Sequence, residues 1–234
     1  MMPDTLKKVE REVVACERCP RLVKYRREVA RTKRRAYRDW EYWGKPVPGF
    51  GDPQTRLLII GLAPAAHGGN RTGRIFTGDS SGDLLFRTLY ETGFASQPHS
   101  VSRADGMKLK DAYITATVRC APPDNKPLTA ESRHCREYLE REIALLKNVK
   151  VVVALGKIAF DAYLSILSFQ NLISSRAQYK FGHGATYRFP SQLPAPLPTL
   201  IASYHPSPRN TQTGRLTPAM LRSVFEGASA LTST

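Results

Sequence analysis

The run Lys150-Val151-Val152-Val153-Ala154-Leu155 constrains this chain more than any other stretch. Its apolar residues follow one another without alternation, so a strand built from them has no face to offer to water. That is the condition of a parallel strand covered by helices on both sides. Residues 56–61, 112–118 ("AYITATV") and 198–204 ("PTLIASY") read as three further strands. Helical patterns separate them. Residues 80–92 place Leu84, Leu85, Phe86 and Leu89 toward a core, with Ser80 or Ser81 as cap, and residues 129–147 start at Thr129 as N-cap. Helices are also expected from Gly156 to about 167 and from about 217 to 228. Strands alternating with helices give an α/β fold: three α/β/α layers around a four-stranded parallel sheet. Ahead of them, residues 4–15 read as a charged helix with Leu6, Val9 and Val13 on one face, and residues 20–36 as a basic helix or extended arm. Residues 37–55 read as irregular, and residues 170–197 as loop, with a hairpin around "YKFGHGATYRF".

In open sheets of this kind, ligands bind at the carboxyl ends of the strands. Three polar loops leave those ends, at residues 61–79, 119–128 and 205–215, and together they are expected to form one site. The first, "GLAPAAHGGNRTGRIFTGD", is rich in glycine but lacks the Gly-Lys pair of a P-loop and the G-x-G-x-x-G of a dinucleotide loop. It carries a histidine, two arginines, a phenylalanine and an aspartate.

Composition narrows the partner. The chain has 234 residues, 41% hydrophobic, and 35 Lys and Arg against 20 Asp and Glu, a net charge of +15. It is long enough for one domain with a sizeable core. No apolar run reaches the length of a membrane span, and the first residues lack an apolar signal core, so a cytoplasmic protein is expected. Residues 18–38 hold ten Lys or Arg and a single acid, Glu28. Such a segment suits a polyanion, with nucleic acid ahead of a membrane surface or ribosome. The plainer alternative is a solvated helical face.

Four cysteines complete the inventory: Cys16 and Cys19 in C-x-x-C, then Cys120 and Cys135 far downstream. In a reducing compartment they point to a metal rather than to disulfides. The pair lies between charged helical segments, not after a strand, which argues against thioredoxin-like redox chemistry. Zinc and an iron–sulfur cluster both suit four thiolates gathered from distant segments.

The three loops resemble the motifs of the family 5 uracil-DNA glycosylases. "GLAPAAHGGNRTGRIFTGD" resembles the family's first motif, "VRCAPPDNKP" its second and "YHPSPRN" its third, in the right order, and the likeness runs from Cys16 to about Arg215. The resemblance implies a [4Fe-4S] cluster on Cys16, Cys19, Cys120 and Cys135, tying the basic segment of about residues 1–40 into a single domain spanning 1–234. It implies excision of uracil from double-stranded DNA without lyase activity, by a monomer, with hypoxanthine, xanthine and modified pyrimidines as further substrates. A sliding clamp is a partner that no residue supports. The base must leave the stack before its glycosidic bond can be reached. The resemblance then assigns Gly61 and Ala63 to the pocket lining and Phe76 to stacking. Asn125 reads the base edge, and His205 donates to the leaving uracil. Asp79 orients water or stabilises the cationic sugar, the plainer alternative being a helix N-cap ahead of Ser80, while His67, Lys126, Ser207, Arg209 and Asn210 contact DNA. Four positions depart from relatives. Leu62 and Ala63 replace the acid found after the first strand in other families (G-Q-D-P-Y-H, G-E-A-P-G), Arg209 replaces a wedging leucine, and Ala116 replaces a uracil-reading asparagine. Two rivals share these features: a DNA-binding protein that keeps the fold without catalysis, and a zinc-stabilised RNA-binding protein.

Overall fold

The computed structural model describes residues 3–190 and 196–233. Four five-residue strands, β2 (Leu57–Gly61), β3 (Ala112–Ala116), β4 (Val151–Leu155) and β6 (Thr199–Ser203), run parallel in the order β3-β2-β4-β6. Two-residue strands, β1 (Phe50–Gly51) and β5 (Thr186–Tyr187), extend this sheet as antiparallel edges on β3 and β6. Neither edge strand has an apolar run to announce it. The segment expected to fold back as its own hairpin instead pairs through β5 with β6, and residues 191–195 of that loop lie outside the described residues.

Side chains alternate across the sheet. Leu57, Ile59, Ile114, Val151, Val153 and Ile201 join one core cluster, whereas Leu58, Ile60, Val152, Ala154 and Leu200 join another. Helices α4 (Ser80–Glu91) and α8 (Pro218–Ser233) cover the first face, and α5 (Thr129–Leu145) and α6 (Lys157–Phe169) the second. This is the three-layer arrangement the apolar runs demand. From β2 the chain crosses one way to β3 and then back past β2 to β4. The connection therefore reverses between β2 and β4, and a crevice opens at their carboxyl ends.

Helices α1 (Leu6–Val14) and α2 (Pro20–Thr32) stand outside these layers. Thr5 caps α1 by accepting from the Lys8 amide, and Val9 and Val13 pack on Tyr138 of α5. The basic segment is thus helical through Thr32 rather than an extended arm, and a single 3₁₀ turn follows at Arg35–Tyr37. Two cap assignments change. Asp79, not Ser80 or Ser81, caps α4 through the Gly82 amide, and α5 begins after Leu128, whose amide donates to the Glu131 side chain. Asp79, Ser80 and Ser81 are three competent caps in a row, and periodicity alone does not choose among neighbours.

Candidate active site

Residues 62–79 leave β2 as a loop containing a short helix, α3 (Gly69–Thr72). Its two arginines point inward. Arg71 lies between the rings of Tyr37 and Trp40, at 4.0 and 4.2 Å from their centroids, and donates to the carbonyls of His67 and Gly78. Arg74 is buried, pairs with Asp105 at 2.5 Å and donates to Thr77 and Ser100. The Arg74 guanidinium and three backbone amides outweigh the cost of burial and hold the Asp105 pKa down at about 2. Both arginines are struts that fix the loop from within. Nothing in the sequence separates them from phosphate-binding arginines, because their partners lie about thirty residues away.

The braced loop delivers Phe76 and Asp79. Phe76 has φ of 53° and is 7% exposed. A left-handed backbone at a bulky residue costs of order 1 kcal/mol and persists where the surroundings over-determine it. Here glycines make the room. A Cβ on Gly61 would stand 2.7 Å from the Phe76 ring, and one on Gly82 only 1.7 Å from the Phe76 carbonyl oxygen. Asp79 is half-buried, with one carboxylate oxygen on the Gly82 amide and the other against Gly68, where a Cβ would come within 2.1 Å. Burial raises its pKa, against the opposing pull of the Gly82 and Ser81 amides.

His205 follows β6 and faces Phe76, ring centroids 5.7 Å apart at 30°. Its carbonyl accepts from the Ser207 amide and from Asn210 Nδ2, both at 2.8 Å, so Asn210 fixes the histidine's backbone. Gly156, at the end of β4 beside His205, has φ of 97°, a left-handed backbone that favours glycine, while a Cβ there would only reach ordinary contact, 3.4 Å, with the Cβ of His205. Burial lowers the His205 pKa to about 4, so the ring is neutral at neutral pH.

These groups enclose a cleft of about 470 Å³ at the sheet's switch point, lined by Ala63, Phe76, Asp79, Asn125 and His205, with Ser207 and Arg209 on the rim. Gly61, expected in the pocket lining, lies instead behind the Phe76 ring and does not line the cleft. Asn125 is exposed and stands, after Asp124, in two successive left-handed residues (φ 56° and 52°). Lys126 is exposed beyond the lining, and His67 turns to the Tyr42 hydroxyl at 3.0 Å. Ala116 is fully buried in the core beside Gly61 and does not line the cleft.

Cys19, Cys120 and Cys135 share one buried cluster with Leu22 and Val118, while Cys16 borders the neighbouring cluster of Val9, Val13 and Tyr138. All four are free thiols, and among the described residues no three His, Cys, Asp or Glu side chains stand together ready to hold a metal ion. Burial pushes the Cys120 thiol up to about 12 and Cys19 to about 11. Two buried guanidiniums act on this cluster, Arg26 on Cys120 and Arg119 on Cys135. Among the described residues, Arg26 Nε and Arg119 Nε and Nη1 are buried without a hydrogen-bond partner, although Arg119 Nη2 pairs with Glu142. Ala63 touches both the cysteine cluster and the cleft.

An open α/β sheet with a cleft of about 470 Å³ at its switch point, walled by an aromatic ring, a neutral imidazole and a carboxylate, is the architecture of a protein that binds its ligand at the strand ends. Residues 48–228 match the family model of the uracil DNA glycosylase superfamily. The chain is 48% identical over 219 residues to the type-5 uracil-DNA glycosylase of Thermus thermophilus, covering 94% of each chain. It is 48% identical to that of Mycobacterium leprae (94% and 93% covered) and 45% identical to that of Pyrobaculum aerophilum (93% and 89%). The chain belongs to the uracil DNA glycosylase superfamily, in its type-5 family.

Proposed function

We propose that this chain is a monofunctional DNA glycosylase that extrudes uracil from duplex DNA and hydrolyses its N-glycosidic bond, leaving an abasic site for base excision repair. The observation that carries the reading is the pairing of Phe76 with a neutral His205 across one cleft, with the Asp79 carboxylate at the same wall. The flipped base stacks on Phe76, and Asn125 meets its polar edge with a donor and an acceptor. As the bond breaks, negative charge gathers on the uracil and positive charge on the sugar. Neutral His205 donates a hydrogen bond to the developing anion, and burial strengthens that bond by excluding water. Asp79, ionised above its raised pKa, orients the attacking water and faces the cationic sugar. Leu62 and Ala63 supply no carboxylate, so Asp79 is the acid of this loop that fills the role. At about 470 Å³ the cleft also has room for hypoxanthine or xanthine.

The donor set of Cys16, Cys19, Cys120 and Cys135 fits a [4Fe-4S] cluster. Such a cluster with four thiolates carries net negative charge, and the unpartnered Arg26 and Arg119 nitrogens beside the thiols offer the compensating positive charge. When bound, it supplies a cross-link between the helical N-terminus and the strand-end loops. The chain's own residues carry every step of the reaction.

The deciding experiment is excision from a labelled duplex with one uracil opposite guanine. The expected result is brown protein and a strand that breaks only after alkali. An intact strand after alkali, from folded protein, would refute the reading.

A further inference from the structure

Beside the first cleft lies a second, of about 480 Å³, and the two share the wall formed by Ala65, Asp79, Ser80 and Asn125. It is also lined by Tyr25 of α2, by Arg34 and Tyr37 from the turn after it, and by His67 of the loop that follows β2. The cations of this basic segment divide by position. Toward the start of α2, Arg18, Arg21 and Arg27 pair with Glu137, Glu131 and Glu17. Beyond the helix end, Arg34 has no carboxylate partner among the described residues, although its side chain lines the second cleft. The hydroxyls of Tyr25 and Tyr37 likewise have no partner among the described residues. Of the two acids in the wall, Asp79 is bound to the Gly82 amide, and Asp124 is exposed. An unpaired guanidinium beside two free phenolic hydroxyls suits a phosphate.

We propose that this second cleft seats one backbone phosphate of the substrate strand, adjacent to the extruded nucleotide, with Arg34 as its principal contact and Tyr25 as a second donor. The inference rests on reading the first cleft as the pocket for the flipped base: a strand whose base enters there must carry its backbone across the shared wall. It makes α2, whose N-cap position is Cys19, a substrate-binding element as well as a support.

The test is single-turnover excision from duplexes in which one phosphate at a time, on either side of the uracil, is replaced by an uncharged methylphosphonate. Arg34→Ala is expected to lower kcat/KM on the all-phosphate duplex about tenfold. Arg35→Ala, exposed and outside the cleft, should leave it unchanged. At one flanking position the methylphosphonate should slow the wild type by the same factor and slow Arg34→Ala no further, with Tyr25→Phe partly masked there. An Arg34→Ala penalty undiminished on every neutralised duplex, or no penalty at all, would overturn the second cleft. Wild-type protein inert on the all-phosphate duplex would instead overturn the reading of the first.

Discussion

His205 and Asp79 are each tuned by burial, in opposite directions. The His205 imidazole stays neutral until about pH 4, whereas the same residue in the unfolded chain takes a proton near its ordinary 6.5. As pH falls through that window the unfolded state binds a proton that the fold refuses. Stability therefore declines from pH 6.5 toward 4 and is intact above it. His205→Gln removes this contribution, so the difference in Tm between pH 7 and pH 5 narrows in the variant. The same substitution weakens the donor to the leaving base, with a loss of about 10²-fold in kcat expected for an anion-stabilising contact. Asp79 has two jobs that substitution can separate. Asn caps a helix as well as Asp does, so Asp79→Asn keeps the Gly82 contact and the Tm while excision falls by about 10²-fold or more. Asp79→Ala loses activity and also about 1 kcal/mol of stability. Equal Tm losses in the two variants would show that the carboxylate's charge, not its capping, stabilises α4.

The loop bearing these groups is an element whose order comes from far away in sequence. Arg71 ties it to Tyr37 and Trp40, and Arg74 ties it to Asp105. A double-mutant cycle of Arg71→Lys and Tyr37→Ala should return a coupling of about 1 kcal/mol in chemical denaturation, the size of a partly desolvated cation–π contact. If the loop is positioned by this contact, the same variants lower kcat more than they raise KM. What could be read from sequence follows the range of the forces. The four parallel strands announce themselves because each is buried on both faces over at least four of its five residues, and the loop order then places Phe76, Asn125 and His205 at one end of the sheet. The edge strands at Phe50–Gly51 and Thr186–Tyr187 have two residues each and no pattern to detect. Asp79 stands beside two equally competent caps, Ser80 and Ser81, and only the folded chain selects its contact with Gly82. The inward turn of Arg71 and Arg74 depended on Tyr37, Trp40 and Asp105, which only the folded chain brings near. The crowding of Gly61 and Gly82 against Phe76 is likewise a three-dimensional fact, since a glycine in a loop reads as flexibility until its neighbour is known.

At the scale of the molecule, the 35 Lys and Arg behind the net charge of +15 do not all face DNA. Arg18, Arg21, Arg27 and Arg31 have carboxylate partners, Arg26 is buried among backbone carbonyls, and Arg141 bridges Asp4 and Glu12. These cations join α1, α2 and α5 to one another. By contrast, Arg209 on the rim of the first cleft and Lys126 just beyond it have no carboxylate partner among the described residues. Counterion release distinguishes the two populations, because each phosphate neutralised on binding steepens the fall of log affinity with log salt by about 0.9. Arg209→Ala and Lys126→Ala should each flatten the slope of log kcat/KM against log salt by about that amount, without lowering Tm. Arg18→Ala and Arg21→Ala should leave the slope unchanged. Arg21→Ala should lower Tm, because Glu131, buried at the start of α5, loses its partner. A slope insensitive to Arg209 and Lys126 but reduced by Arg18→Ala would place the DNA on the outer face of α2, away from both clefts, and the basic segment would then be the docking surface itself rather than the scaffold behind it.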